Sequence, residues 1–190
     1  MPHAIISLGS NIDKEHNLPR AVALLAAATN VLAVSSVYET IPVGLRDQAN
    51  FFNAAVLIET GDTPASLKAG LLTDIERELK RVRQADKNAP RTIDLDISWY
   101  DDAGLAYDGP DGRPRRVPDP DLLRFVHVAL PLTELLPPGA THPDTGEAVQ
   151  LIAERLQRAA VLDGTPTIWL RDDIDLSSRI TATQFPAASG

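Results

Sequence analysis

The stretch KNAPRTIDLDISWY, residues 87–100, carries two acids, Asp94 and Asp96, one residue apart in a run otherwise rich in apolar and β-branched residues. Side chains alternate across a strand, so Thr92, Asp94 and Asp96 share one face while Ile93, Leu95 and Ile97 share the other. Positions two apart on a strand are separated by roughly 7 Å, a span that two carboxylates and intervening hard cations bridge. Magnesium suits such a pair, because it keeps several waters and takes one or two carboxylates plus substrate phosphates. Zinc suits it less, since no His or Cys stands beside the acids. Just upstream lie Lys80, Arg81, Arg83, Lys87 and Arg91, with Asp86 the only acid among them. Acids that hold a cation and cations that hold phosphate, within one short stretch, are what phosphoryl transfer requires. Two plainer readings compete. D-x-D arises often by chance on half-exposed strands, and a basic cluster suits a solvated helix C-terminus.

The elements around this stretch decide where it sits. Residues 3–11 read as a strand entering a Gly-Ser-Asn turn, followed by a helix from about Leu18 to Ala28 with Pro19 near its first turn. Residues 31–39 and 51–60 read as strands, joined by a turn-rich loop over 40–50. The best-marked helix follows: Thr63 caps it, Pro64 takes the first helical position, and Leu67, Leu71, Ile75 and Leu79 recur at helical spacing. The fourth strand is 92–100. The order is β-α-β-β-α-β, an α+β ferredoxin-like plan with both helices on one face of an antiparallel sheet. Turn signals over 101–121 predict a C-terminal hairpin, and extra helices are expected near 130–136 and 149–156. The domain is read as residues 1–170, with 171–190 a small, polar, loosely ordered tail.

Composition narrows the function classes. A chain of 190 residues, 44% hydrophobic and 23% charged, buries one proper core. No apolar run approaches the roughly 20 residues that span a bilayer, and MPHAIISLGS lacks a signal-like pattern, so no membrane association is expected. The absence of cysteine excludes disulfides and thiolate metal sites, and a cytoplasmic protein is the expectation. A net charge of -8 argues against nucleic acid as a partner while leaving room for a phosphorylated ligand. DLDIS also matches the aspartyl nucleophile of haloacid-dehalogenase-type phosphatases. There, however, the motif ends the first strand of a doubly wound domain, whereas here it lies on the fourth strand with no Rossmann-like alternation after it.

KNAPRTIDLDI resembles the signature of the 6-hydroxymethyl-7,8-dihydropterin pyrophosphokinase family. SLGSN (7–11), SSVYETIPVG (35–44), QANFFNAAV (48–56) and VPDPDLLRFVHVALPL (117–132) agree in order and spacing. The resemblance implies a ferredoxin-like fold and transfer of pyrophosphate from ATP to the pterin hydroxymethyl group, with ATP and a dihydropterin as small-molecule partners. It implies that Asp94 and Asp96 hold two magnesium ions, and that Arg81, Arg83 and Arg91 reach the triphosphate. Glu76 matches a position near the nucleotide, Arg115 and Arg116 lie near further nucleotide contacts, and the 81–91 connection matches a loop that closes over the site. For the pterin, Phe51 supplies an aromatic platform and Asn53 paired hydrogen bonds from the same strand face. Thr40, Ile41 and Val43 complete the edge, and Asn11 is placed at the site on the family match. Three positions depart from the family pattern: Asp119 for a usual His, Phe125 for a usual Arg and His127 for a usual Phe. Arg124 is the expected stand-in for the displaced arginine, and His127 can still stack as a ring. Asn88 stands where a Trp is often found. The alternative function is a non-catalytic relative that binds pterin or nucleotide.

Overall fold

The structure, a computed structural model, describes residues 1–184 apart from positions 46, 83, 87, 102 and 103. Its core is β1 (His3–Ser10), α1 (Lys14–Ala28), β2 (Asn30–Val34), β3 (Val37–Thr40), β4 (Phe51–Glu59), a helical rod and β5 (Asp94–Tyr100). All sheet pairings are antiparallel, with β4 beside β1 and β1 beside β5, which ends that side of the sheet. This is the ferredoxin-like order. The single strand expected over 31–39 is broken in two: β2 pairs with the C-terminal half of β4 and β3 with its start. Ser35 fills the break. Its N–H donates to the Ala55 carbonyl at 2.9 Å, and its hydroxyl accepts the Ala55 N–H at 2.8 Å, so the ladder loses no partner there.

α1 starts earlier than its apolar spacing suggests, which leaves Pro19 inside the helix. The buried Asn17 donates to the Ile12 carbonyl at 2.7 Å and fixes the helix entry. The rod comprises α2 (Pro64–Leu67), a π-helical turn (Lys68–Leu72) and α3 (Thr73–Glu78). Thr63 caps it through the Ser66 N–H at 3.3 Å, and Pro64 occupies the first turn. The π turn inserts a five-residue step, so Leu72 at 0% exposure enters the core where regular spacing selects Leu71; Lys68, at the start of the turn and on the face of Pro64 and Leu67, is buried at 1%.

Both faces of the sheet are covered, by different means. α1 and the rod seal one face around Ile6, Leu8, Val22, Phe52, Val56 and Leu95. After β5 come a hairpin of β6 (Leu105–Asp108) and β7 (Pro114–Val117), a 3-10 turn (Pro120–Leu123), α4 (Val126–Thr133) and α5 (Val149–Ala159). α4 begins four residues before the expected 130. α4 and α5 cover only half of the second face, packing on Ile5, Ala55, Leu57 and Trp99. The other half of the same strands carries Ser7, Gly9, Phe51, Asn53, Asp94, Asp96 and Ser98, and it stays open. A small hairpin of β8 (Val161–Leu162) and β9 (Thr165–Pro166) leads to β10 (Ile168–Arg171), which extends the sheet beyond β3. The stretch 171–190 holds the end of β10 and α6 (Ser177–Gln184); Ile174, Leu176 and Ile180 pack on the first core, and 185–190 lie outside the described residues. No helix among the described residues is long and apolar enough to cross a membrane.

Candidate active site

The open half-face floors a cavity of about 430 Å³. Ile93, Leu95 and Ile97, all at 0–1% exposure, pin β5 to the core, so the pleat delivers Asp94 and Asp96 to the cavity. Arg91 Nη1 bonds Asp94 Oδ2, and Arg81 Nε lies 4.0 Å from Asp94 Oδ1. Asp96 Oδ1 is held at 3.0 Å by Lys68 Nζ and at 3.2 Å by Arg115 Nη1. Burial, with the charge of Asp96 beside it, pushes the Asp94 carboxyl above its usual range against the pull of Arg91 and Arg81. Burial pulls the Lys68 ammonium down, but Asp96, Glu76 and Asp94 together outweigh it and hold the group charged. The donor set suits a hard divalent cation. It offers two carboxylates on one face, and no cluster of three His, Cys, Asp or Glu gathers among the described residues, so water and phosphate oxygens would complete the shell.

The other expected residues divide between cavity and support. Thr40, Ile41, Val43, Phe51, Asn53, Arg91, Arg115 and His127 line the cavity with the two acids. The Asn53 amide is oriented by Nδ2 donating to Thr40 Oγ1 at 2.9 Å and to the Tyr38 carbonyl at 3.3 Å. The Arg91 guanidinium lies 5.6 Å from the centroid of the Phe51 ring, which joins the aromatic platform to the cation cluster. The Ile41 N–H donates to the Thr167 carbonyl at 3.2 Å. Phe125 and His127, which line the same cavity as Phe51, stack with centroids 5.3 Å apart. Burial, reinforced by Arg91, pushes the His127 imidazole down to about 4, so the ring is neutral at neutral pH.

Asn11 acts behind the cavity wall. Its Oδ1 accepts the Arg91 N–H at 2.8 Å, and Nδ2 donates to Gln48 Oε1 at 2.8 Å and the Ala49 carbonyl at 3.1 Å. Glu76, 3% exposed, lies beneath β5, where Oε1 accepts the Leu95 N–H at 3.0 Å and pairs with Lys68 at 3.1 Å. Arg124 is exposed and pairs with Asp121 at 3.6 Å, with its guanidinium 5.3 Å from the Phe125 ring and away from the cavity lining. Arg116 pairs with Asp144 at 2.5 Å and lines a second concavity of about 480 Å³ between β5 and the hairpin. The two concavities share Asp96, Arg115, Asp119 and Asp121. Asp119 accepts the Asp121 N–H at 2.9 Å, and burial, with Asp96 adding to it, pushes its carboxyl up to about 6. Arg83 and Lys87 lie outside the described residues.

Lys68, Ser7 and Ser98 escape a reading of the sequence. The two serine hydroxyls meet at 2.5 Å on the cavity floor, which requires β1–β5 pairing that no local pattern announces. Lys68 flanks an apolar stripe, where a lysine ordinarily reads as solvated.

An acid pair ringed by cations, beside an aromatic and amide pocket, describes an enzyme that moves phosphate groups onto a flat, hydrogen-bonding acceptor. Comparison with known proteins agrees. The family model described as 7,8-dihydro-6-hydroxymethylpterin-pyrophosphokinase matches residues 5–137. The 2-amino-4-hydroxy-6-hydroxymethyldihydropteridine pyrophosphokinase of Bacillus subtilis is 44% identical over 135 residues, covering 70% of this chain and 77% of that protein. Its namesake from Methylorubrum extorquens is 42% identical over 144 residues, covering 72% and 84%. The structure of wild-type Plasmodium falciparum HPPK-DHPS superposes with a TM-score of 0.67 at 12% identity, a likeness of fold, over 83% of this chain and 41% of that one. The chain thus spans less than half of that structure. It belongs to the 7,8-dihydro-6-hydroxymethylpterin-pyrophosphokinase family, enzymes of folate biosynthesis that transfer diphosphate.

Proposed function

We propose that this chain uses ATP and magnesium to place a diphosphate on the hydroxymethyl group of 6-hydroxymethyl-7,8-dihydropterin, releasing AMP, in the cytoplasm. The observation that carries the reading is the meeting of two concavities at Asp96, one with an aromatic and amide wall, the other with an arginine wall. The pterin ring lies on Phe51 with Asn53 and Thr40 at its edge, its second face against His127, and its hydroxymethyl toward Asp94 and Asp96. The triphosphate is gripped by Arg91, Arg115 and Arg81, whose guanidinium forks match phosphate oxygens and which move from carboxylate to phosphate as ATP enters. Arg116 and the hairpin take the nucleoside side. Asp94 and Asp96 would hold magnesium, which when bound neutralises phosphate charge and lowers the barrier to displacement. The hydroxyl oxygen forms its bond to the β-phosphorus as the bond from that phosphorus to the α,β-bridging oxygen breaks, and AMP leaves with that oxygen. The hydroxyl proton passes toward the Asp94–Asp96 carboxylates. Ile41 and Val43 after β3, and Asn88 and Arg91 before β5, border the cavity and exclude water once the substrates are bound.

The test is AMP formation from ATP, magnesium and the hydroxymethyl dihydropterin. AMP should require the pterin, and Asp94→Ala and Asp96→Ala should each lower the rate by about 10³-fold or more. Pterin-independent phosphate release would sink the reading. So would tight binding of both substrates with no AMP, the behaviour of a non-catalytic relative.

A further inference from the structure

Lys68 is 1% exposed, yet its Nζ has three acceptors: the Leu95 carbonyl, Glu76 Oε1 at 3.1 Å and Asp96 Oδ1 at 3.0 Å. Glu76 Oε1 also accepts the Leu95 N–H at 3.0 Å. Leu95 lies between the two acids on β5, the strand that ends the sheet. The Lys68–Glu76 pair therefore satisfies both backbone groups of Leu95 at that edge, as a neighbouring strand would. The same ammonium reaches round the edge to the Asp96 carboxylate.

Stability accounts for part of this arrangement, since Lys68 and Glu76 satisfy the Leu95 backbone. It does not require the third contact, the reach of the same ammonium to Asp96. Lys68 opens the π turn, and such turns recur at functional sites. Arg115 also holds Asp96, but it comes from the hairpin and is 26% exposed, whereas Lys68 comes from a rod packed into the core. When phosphate draws Arg115 away, Lys68 keeps its hold.

We propose that Lys68, paired with Glu76, is a positioning residue for Asp96: it grips the carboxylate from the helix side and fixes the strand between the two acids. The proposal rests on the reading of Asp94 and Asp96 as the metal-holding pair. Its test is the charge-balanced double variant Lys68→Met with Glu76→Gln, in which Gln still accepts the Leu95 N–H. Net charge is unchanged, and loss of the cation 3.0 Å from Asp96 would by charge alone favour Mn²⁺, so weaker binding reports orientation. Mn²⁺ binding is measured by electron paramagnetic resonance with the α,β-methylene analogue of ATP, alongside kcat, KM for the pterin and the urea midpoint. The variant is expected to bind Mn²⁺ about 10–100-fold more weakly and to lose kcat on a similar scale, with the pterin KM within about twofold of wild type. Mn²⁺ affinity and kcat both within twofold of wild type would overturn the proposal.

A second variant decides the matter if the first does not fold. The chain has no cysteine, so Lys68→Cys, unfolded in urea to expose the buried position, is alkylated selectively with an aminoethyl group to restore the ammonium, or with a propyl group as its neutral counterpart, and refolded. Tighter Mn²⁺ binding by the aminoethyl form supports the proposal; equal binding by the two forms overturns it. Wild-type Mn²⁺ binding that is lost in Asp96→Ala, without pterin-dependent AMP, would fail the pyrophosphokinase reading and leave the Lys68 test intact. Mn²⁺ binding indifferent to Asp96→Ala would overturn both.

Discussion

Replacing Asn11 by Ala removes three hydrogen bonds at once, to the Arg91 N–H, Gln48 Oε1 and the Ala49 carbonyl. At 6% exposure the site admits little water to replace them. Each bond is worth about 1 kcal/mol, and stranding a buried donor costs about 1–3 kcal/mol more, so with partial relaxation of the loops the loss comes to roughly 3 kcal/mol. For a chain of this size that lowers Tm by roughly 6–12 °C. The loss is also functional. Gln48 donates in turn to the Leu45 carbonyl at 2.6 Å and the Asn88 carbonyl at 2.8 Å, so Asn11 is the shared anchor of loops 40–50 and 81–91. With the Arg91 backbone released, affinity for an ATP analogue should fall about tenfold, equivalent to 1.4 kcal/mol, while pterin affinity changes less. Urea unfolding and calorimetric titration of each ligand measure both. Asn11→Asp keeps the acceptor for Arg91 but turns the second atom into an acceptor against Gln48 Oε1 and the Ala49 carbonyl, so it should destabilise as much as Ala at neutral pH. Destabilisation under about 1 kcal/mol with a selective loss of pterin binding would refute the anchoring argument and return Asn11 to the pterin edge.

Two further predictions concern pH. Asp119 has a folded pKa of about 6, raised by burial above the usual 3.8. Unfolding then releases a proton between those values, and stability should fall as pH rises from 3.8 towards 6. Asp119→Asn should remove that part of the pH dependence of the urea midpoint, and at pH 7 be the more stable by roughly 1–3 kcal/mol. Glu39 has the opposite sign: burial pushes its carboxyl up, but hydrogen bonds from Lys14 at 2.8 Å and Arg171 at 2.6 Å outweigh it and hold the pKa below 4.5. Its contribution is therefore present above 4.5 and lost as pH falls through the folded value. Glu39→Gln should be less stable than wild type at pH 7, with the gap closing in acid. Because Lys14 and Arg171 also flank the Phe52 ring at 4.1 and 4.8 Å, the same variant should loosen β10, read as faster amide exchange at Ile168–Arg171.

Local patterns made much of this molecule legible. The alternation in TIDLDI assigned Ile93, Leu95 and Ile97 to the core and Asp94 and Asp96 to the opposite face, and the i, i+2 spacing of Phe51 and Asn53 put both on the cavity side. Such readings succeed because strand pleat and helix period are properties of the backbone itself. They fail where the backbone departs from its period. The break at Ser35 splits one expected strand, and the π turn at Lys68–Leu72 moves the buried face by one residue. Nor do they show how a side chain braces the backbone of another segment, as Asn11 Oδ1 does for the Arg91 N–H and Glu76 Oε1 for the Leu95 N–H.

By itself, then, the sequence determined the element order, the face of each strand and the chemical character of the site, since these follow from neighbouring residues. Only the tertiary structure decided which residues meet. The pairing of β1 with β5, the half-coverage of the second face by α4 and α5, and the reach of Lys68 round the sheet edge to Asp96 are long-range contacts. They depend on how whole elements pack, and no window of the chain contains both partners.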